Sequence, residues 1–142
     1  MINADKETGN FKTNNMKKII QTNNAPAPIG PYNQAVLTGN TLYISGQIAI
    51  NPVDGQLVQD SIKDETEQVF RNLKAILDEA GLTFENVVKS SIFISDMNNF
   101  SEINEVYAKY FNEKTAPARE TVEVANLPKF VNVEISMIAV KA

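Results

Sequence analysis

Residues 131–137 alternate without a break between apolar and polar side chains. Val131, Val133, Ile135 and Met137 take one parity, and Asn132, Glu134 and Ser136 take the other. Successive side chains of a strand point to opposite faces, so this segment must lie in a sheet with one greasy face and one polar face. Residues 118–124 repeat the pattern, with Val122 and Val124 set against Arg119, Thr121 and Glu123. Read as two neighbouring strands joined at Leu127-Pro128-Lys129, with both greasy faces on one core, they bring Arg119 and Glu134 out on the same side.

The rest of the chain supplies the sheet's partners. Residues 17–21 read as a short strand, followed by a proline-rich loop that excludes helix. Residues 34–37 and 41–50 read as a hairpin across Thr38-Gly39-Asn40. In its second arm Leu42, Ile44, Ile48 and Ile50 share one face, and Tyr43, Ser45 and Gln47 share the other. Gly46 interrupts that arm, which predicts a bulge or a close backbone approach to a ligand. Ser61 and Asp64 form a capping pair. Behind them Ile62, Thr66, Val69, Phe70, Leu73, Ile76, Leu77 and Ala80 recur at helical spacing until Gly81 stops the helix. Residues 87–94 are a Val- and Ile-rich strand. A second helix starts near Asn99 and buries Phe100, Ile103, Tyr107, Tyr110 and Phe111. The order is β-β-β-α-β-α-β-β, an α+β chain in which two long helices cover one face of a mixed sheet. The other face then carries Tyr43, Ser45, Gln47, Arg119, Thr121, Glu123 and Glu134. It is too polar for a second core layer, and an oligomer with pockets between subunits explains it.

Residues 16–142 fit one domain. Residues 1–15 lack the apolar stretch of a signal peptide and read as a solvated leader. No apolar run approaches the ~20 residues that span a bilayer, and a soluble cytoplasmic protein is expected. The 142 residues include no cysteine and no histidine. That removes disulfides, thiol nucleophiles, zinc-thiolate sites, Ser-His-Asp triads and imidazole ligands. No spaced acidic loop builds a site for a hard cation. The net charge of −4 with scattered lysines argues against nucleic-acid binding, which draws its affinity from basic patches.

Four blocks, "NAPAPIGPYNQA", "LYISGQIAINPVDGQL", "ILDEAGLTFENVVKSSIFISDMNNFSEINEVYAKYF" and "PARETVEVANLPKFVNVEI", resemble the RidA/YjgF family of reactive intermediate deaminases over essentially residues 16–142. The resemblance implies a chorismate-mutase-like fold assembled as a homotrimer with clefts between subunits. It implies hydrolysis of enamines and imines such as 2-aminoacrylate, 2-iminopropanoate and 2-iminobutanoate to 2-keto acids and ammonia. No cofactor and no metal are needed. It gives Arg119 the substrate carboxylate and Glu134 the attacking water. Tyr32 walls the cleft, Ser45 and Gly46 lie near the ligand, and Asn104 serves the cleft and trimer assembly. Thr121 stands where many members have cysteine. Glu120, beside Arg119, departs from the small residue or threonine usual there; alternation turns it to the other face.

Without the resemblance, Arg119 and Glu134 on neighbouring strands read as a surface ion pair. Ser45 then reads as a solvent-facing strand residue, Tyr32 as a loop anchor and Gly46 as a bulge. Two other functions remain open beside the deaminase. One is a non-catalytic 2-keto acid-binding or regulatory trimer, which also needs the arginine. The other is an endoribonuclease or translation inhibitor, disfavoured by the acidic balance.

Overall fold

A computed structural model describes residues 16–142; the leader expected over residues 1–15 lies outside them. The elements are β1 (Lys18–Ile20), β2 (Ala35–Thr38), β3 (Thr41–Gln47), α1 (Ile62–Glu79), β4 (Val87–Ile94), α2 (Phe100–Tyr107), β5 (Ala118–Glu123) and β6 (Val133–Val140). This is the expected order. The strands form one sheet ordered β1-β2-β3-β6-β4-β5. Neighbours run antiparallel except β4 and β5, which are parallel. The fold is the chorismate-mutase-like α+β arrangement.

Ser61 starts α1 by accepting from the Asp64 backbone N–H at 3.0 Å, and Gly81 ends it with a φ of +73°. Val69, Phe70, Leu73, Ile76 and Leu77 of α1 are fully buried, each contributing roughly 1.5–3 kcal/mol of hydrophobic stabilisation. They meet Leu42, Ile44, Ile135, Met137 and Ala139 of the sheet in one core. The second helix is shorter than expected, eight residues. Tyr110 and Phe111 lie beyond its end, yet Tyr110 still stacks on Phe70 at 4.3 Å. Tyr107 fastens α2 to β4 by donating to Ser90 Oγ at 3.1 Å. Among the described residues no helix is long and apolar enough to cross a membrane.

Two expectations are corrected. The last two strands are not neighbours: β4 lies between them, pairing β5 on one edge and β6 on the other. Directly opposed residues share a face. Arg119, Thr121 and Glu123 are opposite Ser90, Ile92 and Ile94, which are buried on the helix side. Glu134 is opposite Phe93 and therefore shares the open face with Val122. Arg119 and Glu134 stand on opposite faces of the sheet.

The second correction comes from Gly46. Between Ile44 and Gln47 the pairing with β6 slips, three steps along β3 against two along β6. One extra residue reverses the facing of everything after it. Gln47 is consequently buried, and β3 stops there rather than running on to Ile50. Tyr43 stays on the open face, half exposed.

Candidate active site

The sequence-predicted site residues form two groups, one on each face of the sheet. On the helix side, β5 begins at the sheet edge beneath α2. The Arg119 guanidinium donates from Nη1 to Asn104 Oδ1 at 2.8 Å. Its carbon lies 4.7 Å from the centre of the Tyr107 ring and 5.7 Å from that of Phe100. An arginine held over aromatic faces gains cation–π attraction while keeping most of its five donors free. No carboxylate pairs with it among the described residues. A cavity of about 260 Å³ opens beside it, bounded by Asn104, Tyr107, Phe111, Ala116 and one acid, Glu113. Burial pushes the Tyr107 phenol up, partly offset by Ser90 and Arg119, so the ring stays neutral.

Thr121 follows two positions later on the same face. Its Oγ1 is buried with no hydrogen-bond partner among the described residues. An unsatisfied buried hydroxyl costs roughly 1–3 kcal/mol. Glu120 turns the other way, as alternation requires. It pairs with Lys89 at 2.8 Å and accepts from the Ser91 hydroxyl, and those two contacts hold its carboxyl below the usual range. It does not compete for Arg119.

The open-face group centres on Glu134, whose side chain lies across Gly46. A Cβ at position 46 would stand 2.5 Å from Glu134 Oε1 and 2.9 Å from its Cγ. The bulge is therefore realised, and the close neighbour at this glycine is the Glu134 side chain. Glu134 is half-buried, and that desolvation pushes its carboxyl up. Tyr32, Gly46, Ile48, Ile50, Pro128 and Glu134 border a small cavity of about 70 Å³. The Ser45 hydroxyl donates to the Asn33 carbonyl at 2.6 Å, which leaves its oxygen able to accept.

Sequence reasoning missed Gln34 and passed over Tyr107 as core. Gln34 is buried, accepts from Thr22 N–H at 2.8 Å, and donates to the Thr22, Ala25 and Pro26 carbonyls. It thereby folds the proline-rich loop back along the cavity wall. A polar residue at a strand start, next to a loop with few backbone partners of its own, was the available signal. Tyr107 is core and also the platform under Arg119.

Residues 22–141 match the family model described as Endoribonuclease L-PSP. The chain belongs to the RidA/YjgF family. A RutC family protein of Pyrococcus horikoshii is 53% identical over 126 residues, covering 89% of this chain and 99% of that one. The 2-iminobutanoate/2-iminopropanoate deaminase of Bos taurus is 48% identical over 126 residues, covering 89% and 91%. Among solved structures, the Rid-family protein YyfA of Yersinia pestis superposes with a TM-score of 0.86 at 49% identity, covering 89% and 100%. Both groups of site residues lie inside the matched residues 22–141.

Proposed function

We propose that the chain is a homotrimeric deaminase that hydrolyses 2-imino acids and their enamine tautomers to 2-keto acids and ammonia. In this reading Arg119, Asn104 and Thr121 of one copy face Tyr32, Ser45, Gly46 and Glu134 of the next. The carrying observation is that Arg119 rests on Tyr107 with a neutral partner and, among the described residues, no carboxylate within ion-pair distance, a fork kept open for a planar carboxylate. The two groups lie on opposite faces of one sheet, so a cleft using both needs a second copy. The exposed Tyr43, Val88 and Val122 of the open face supply apolar surface for that contact. The orphaned Thr121 hydroxyl supports a partner arriving from outside the chain.

The chemistry asks little of the protein. The arginine fork orients the substrate carboxylate, each charge-assisted hydrogen bond being worth roughly 1.5–3 kcal/mol. Glu134, ionised, takes a proton from water as the oxygen adds to the C=N carbon. The proton goes to the nitrogen, and the carbinolamine collapses to the keto acid and ammonia. A raised carboxyl suits this exchange, because an acid–base group works best with a pKa near the working pH. No metal, thiol or imidazole enters. Such imines are short-lived, so the enzyme must share a compartment with its source, for which the cytoplasm is the proposed place.

The test couples a pyridoxal-phosphate threonine dehydratase to the purified chain and follows 2-ketobutanoate release. Acceleration above buffer is expected, lost in Arg119→Ala. Keto acid binding without acceleration would leave a regulatory binder in the deaminase's place.

A further inference from the structure

Glu65 sits in the first turn of α1 with no exposed surface. A buried carboxylate is costly unless its lone pairs are satisfied. Both oxygens are used on one residue: Asn132 donates its backbone N–H to Oε2 at 2.8 Å and its Nδ2–H to Oε1 at 2.7 Å. Asn132 also binds Ser95, the residue just past β4, from its other side. Its carbonyl accepts from Ser95 N–H at 3.1 Å, and its Oδ1 lies 3.4 Å from Ser95 Oγ. Alternation had assigned Asn132 to the polar face with Glu134. It instead stands just before β6 and turns to the helix, because that carboxylate can satisfy two of its donors at once.

The segment so clamped needs holding. Lys129 and Phe130 both have a φ of +54°, where a side chain with a Cβ costs roughly 1–2 kcal/mol per residue. Phe130 is also largely exposed, so burial does not offset that cost. Two residues after the clamp comes Glu134. On one side of it the β3 ladder is interrupted by the bulge. Gly46 leaves no slack beneath its stem. The start of β6 is therefore held by β4 on one edge and by Glu65 at its end, while the last β3 pairing, Gln47 with Ile135, stops one residue short of Glu134.

We infer that Glu65 is a positioning residue for Glu134, acting through Asn132 to fix where the carboxylate stands over Gly46. The inference rests on the deaminase reading for its kinetic readout but not for its structural one. A merely structural Glu65 would, when lost, lower stability and leave the ionisation of Glu134 unchanged.

The experiment uses the full chain with 13C-labelled glutamate side chains and follows the Glu134 carboxyl by NMR titration, alongside steady-state kinetics. In Glu65→Ala the Glu134 midpoint is expected to fall toward the ordinary glutamate range as the freed strand end lets water in. Misplacement of a reacting group by about an ångström costs up to ~10²-fold, so kcat should drop roughly ten- to a hundredfold with KM within about twofold. Glu65→Gln should rescue both, since its Oε1 can accept the backbone N–H while its Nε2–H donates to a flipped Asn132 amide. An unmoved Glu134 midpoint in folded Glu65→Ala overturns the inference. If that variant does not fold, Asn132→Ala, which keeps the backbone half of the clamp, takes its place with the same two outcomes. A wild-type chain whose Glu134 responds to Glu65 but which turns over no imine overturns the deaminase reading alone.

Discussion

The Glu134 carboxylate occupies the space that any side chain at Gly46 would need, with a Cβ there falling 2.5 Å from Oε1. Gly46 has no left-handed backbone angle, so alanine can adopt its conformation; only the clash opposes it. The carboxyl end can swing aside at modest cost, but Cγ, 2.9 Å from that Cβ, belongs to the stem and must shift with it. Gly46→Ala should therefore fold, lose about 1 kcal/mol of stability, and lose at least about tenfold in kcat because Glu134 has moved. Thermal melts and imine turnover on the same preparation check the two halves. Full activity would mean that the Glu134 position observed here is not the working one.

In the proposed reading, Arg119 and Tyr107 divide binding from folding. Arg119→Ala should abolish measurable turnover. Arg119→Lys should fail nearly as badly, because a point charge cannot reproduce a planar fork. Tyr107→Phe keeps the ring under the guanidinium but strips Ser90 Oγ of its buried donor. It should cost roughly 1–3 kcal/mol of stability with KM nearly unchanged. Tyr107→Leu removes the platform and should raise KM. A Tyr107→Phe variant with normal stability but raised KM would show that the hydroxyl, not the ring, serves the site.

How far these residues could be grouped from the sequence depended on where the pattern carried information. Val87–Ile94 and the α1 stripe were legible because the buried face of each is mostly apolar, and α1 also carries a serine cap and a terminal glycine. β5 was not. At the sheet edge both of its faces are polar or half-exposed, so Val122 and Val124 gave a false phase, and Arg119 was assigned to the wrong side. Nothing local reveals that β4 inserts between β5 and β6, a long-range choice made by the parallel crossover through α2. Gln47 was misplaced because a bulge was foreseen at Gly46 but its reversal of the following residues was not carried through. The resemblance named its residues independently of that error, since motif identity does not depend on strand phase.

Ionisation of Glu134 gives a prediction with a definite sign. Its folded-state pKa is raised by desolvation. Between the ordinary glutamate value and the raised one, the native chain keeps a proton that the unfolded chain has released. Stability therefore falls as pH rises through that window and stays lower above it. Glu134→Gln has no such penalty. Its melting temperature should exceed the wild type's at neutral pH, and the gap should close as pH falls below about 4, where both states are protonated. In kinetics the acid limb of the wild-type kcat profile should lie above the ordinary glutamate range, and Glu134→Gln should slow turnover more than it weakens binding of an unreactive keto acid. A gap that is independent of pH would remove the desolvated carboxyl from the account.

The separation of Arg119 from Glu134 across the sheet leads to a complementation test. If a cleft takes its arginine from one copy and its glutamate from the next, Arg119→Ala and Glu134→Gln trimers are each inactive for different reasons. Equal mixing with subunit exchange creates clefts in which the Glu134→Gln chain donates an intact Arg119 and the Arg119→Ala chain donates an intact Glu134. In a closed three-fold ring assembled at random, about a quarter of all clefts are of this intact kind. Activity should rise from near zero to about a quarter of wild type as exchange proceeds, while sedimentation shows trimers throughout. The doubly substituted chain, Arg119→Ala with Glu134→Gln, dilutes wild-type clefts on mixing and rescues nothing. A mixture that exchanges subunits yet stays inactive would place both residues in the service of a single chain, which their opposite faces make geometrically untenable, and would send the search for the catalytic carboxylate back to the helix side of the sheet.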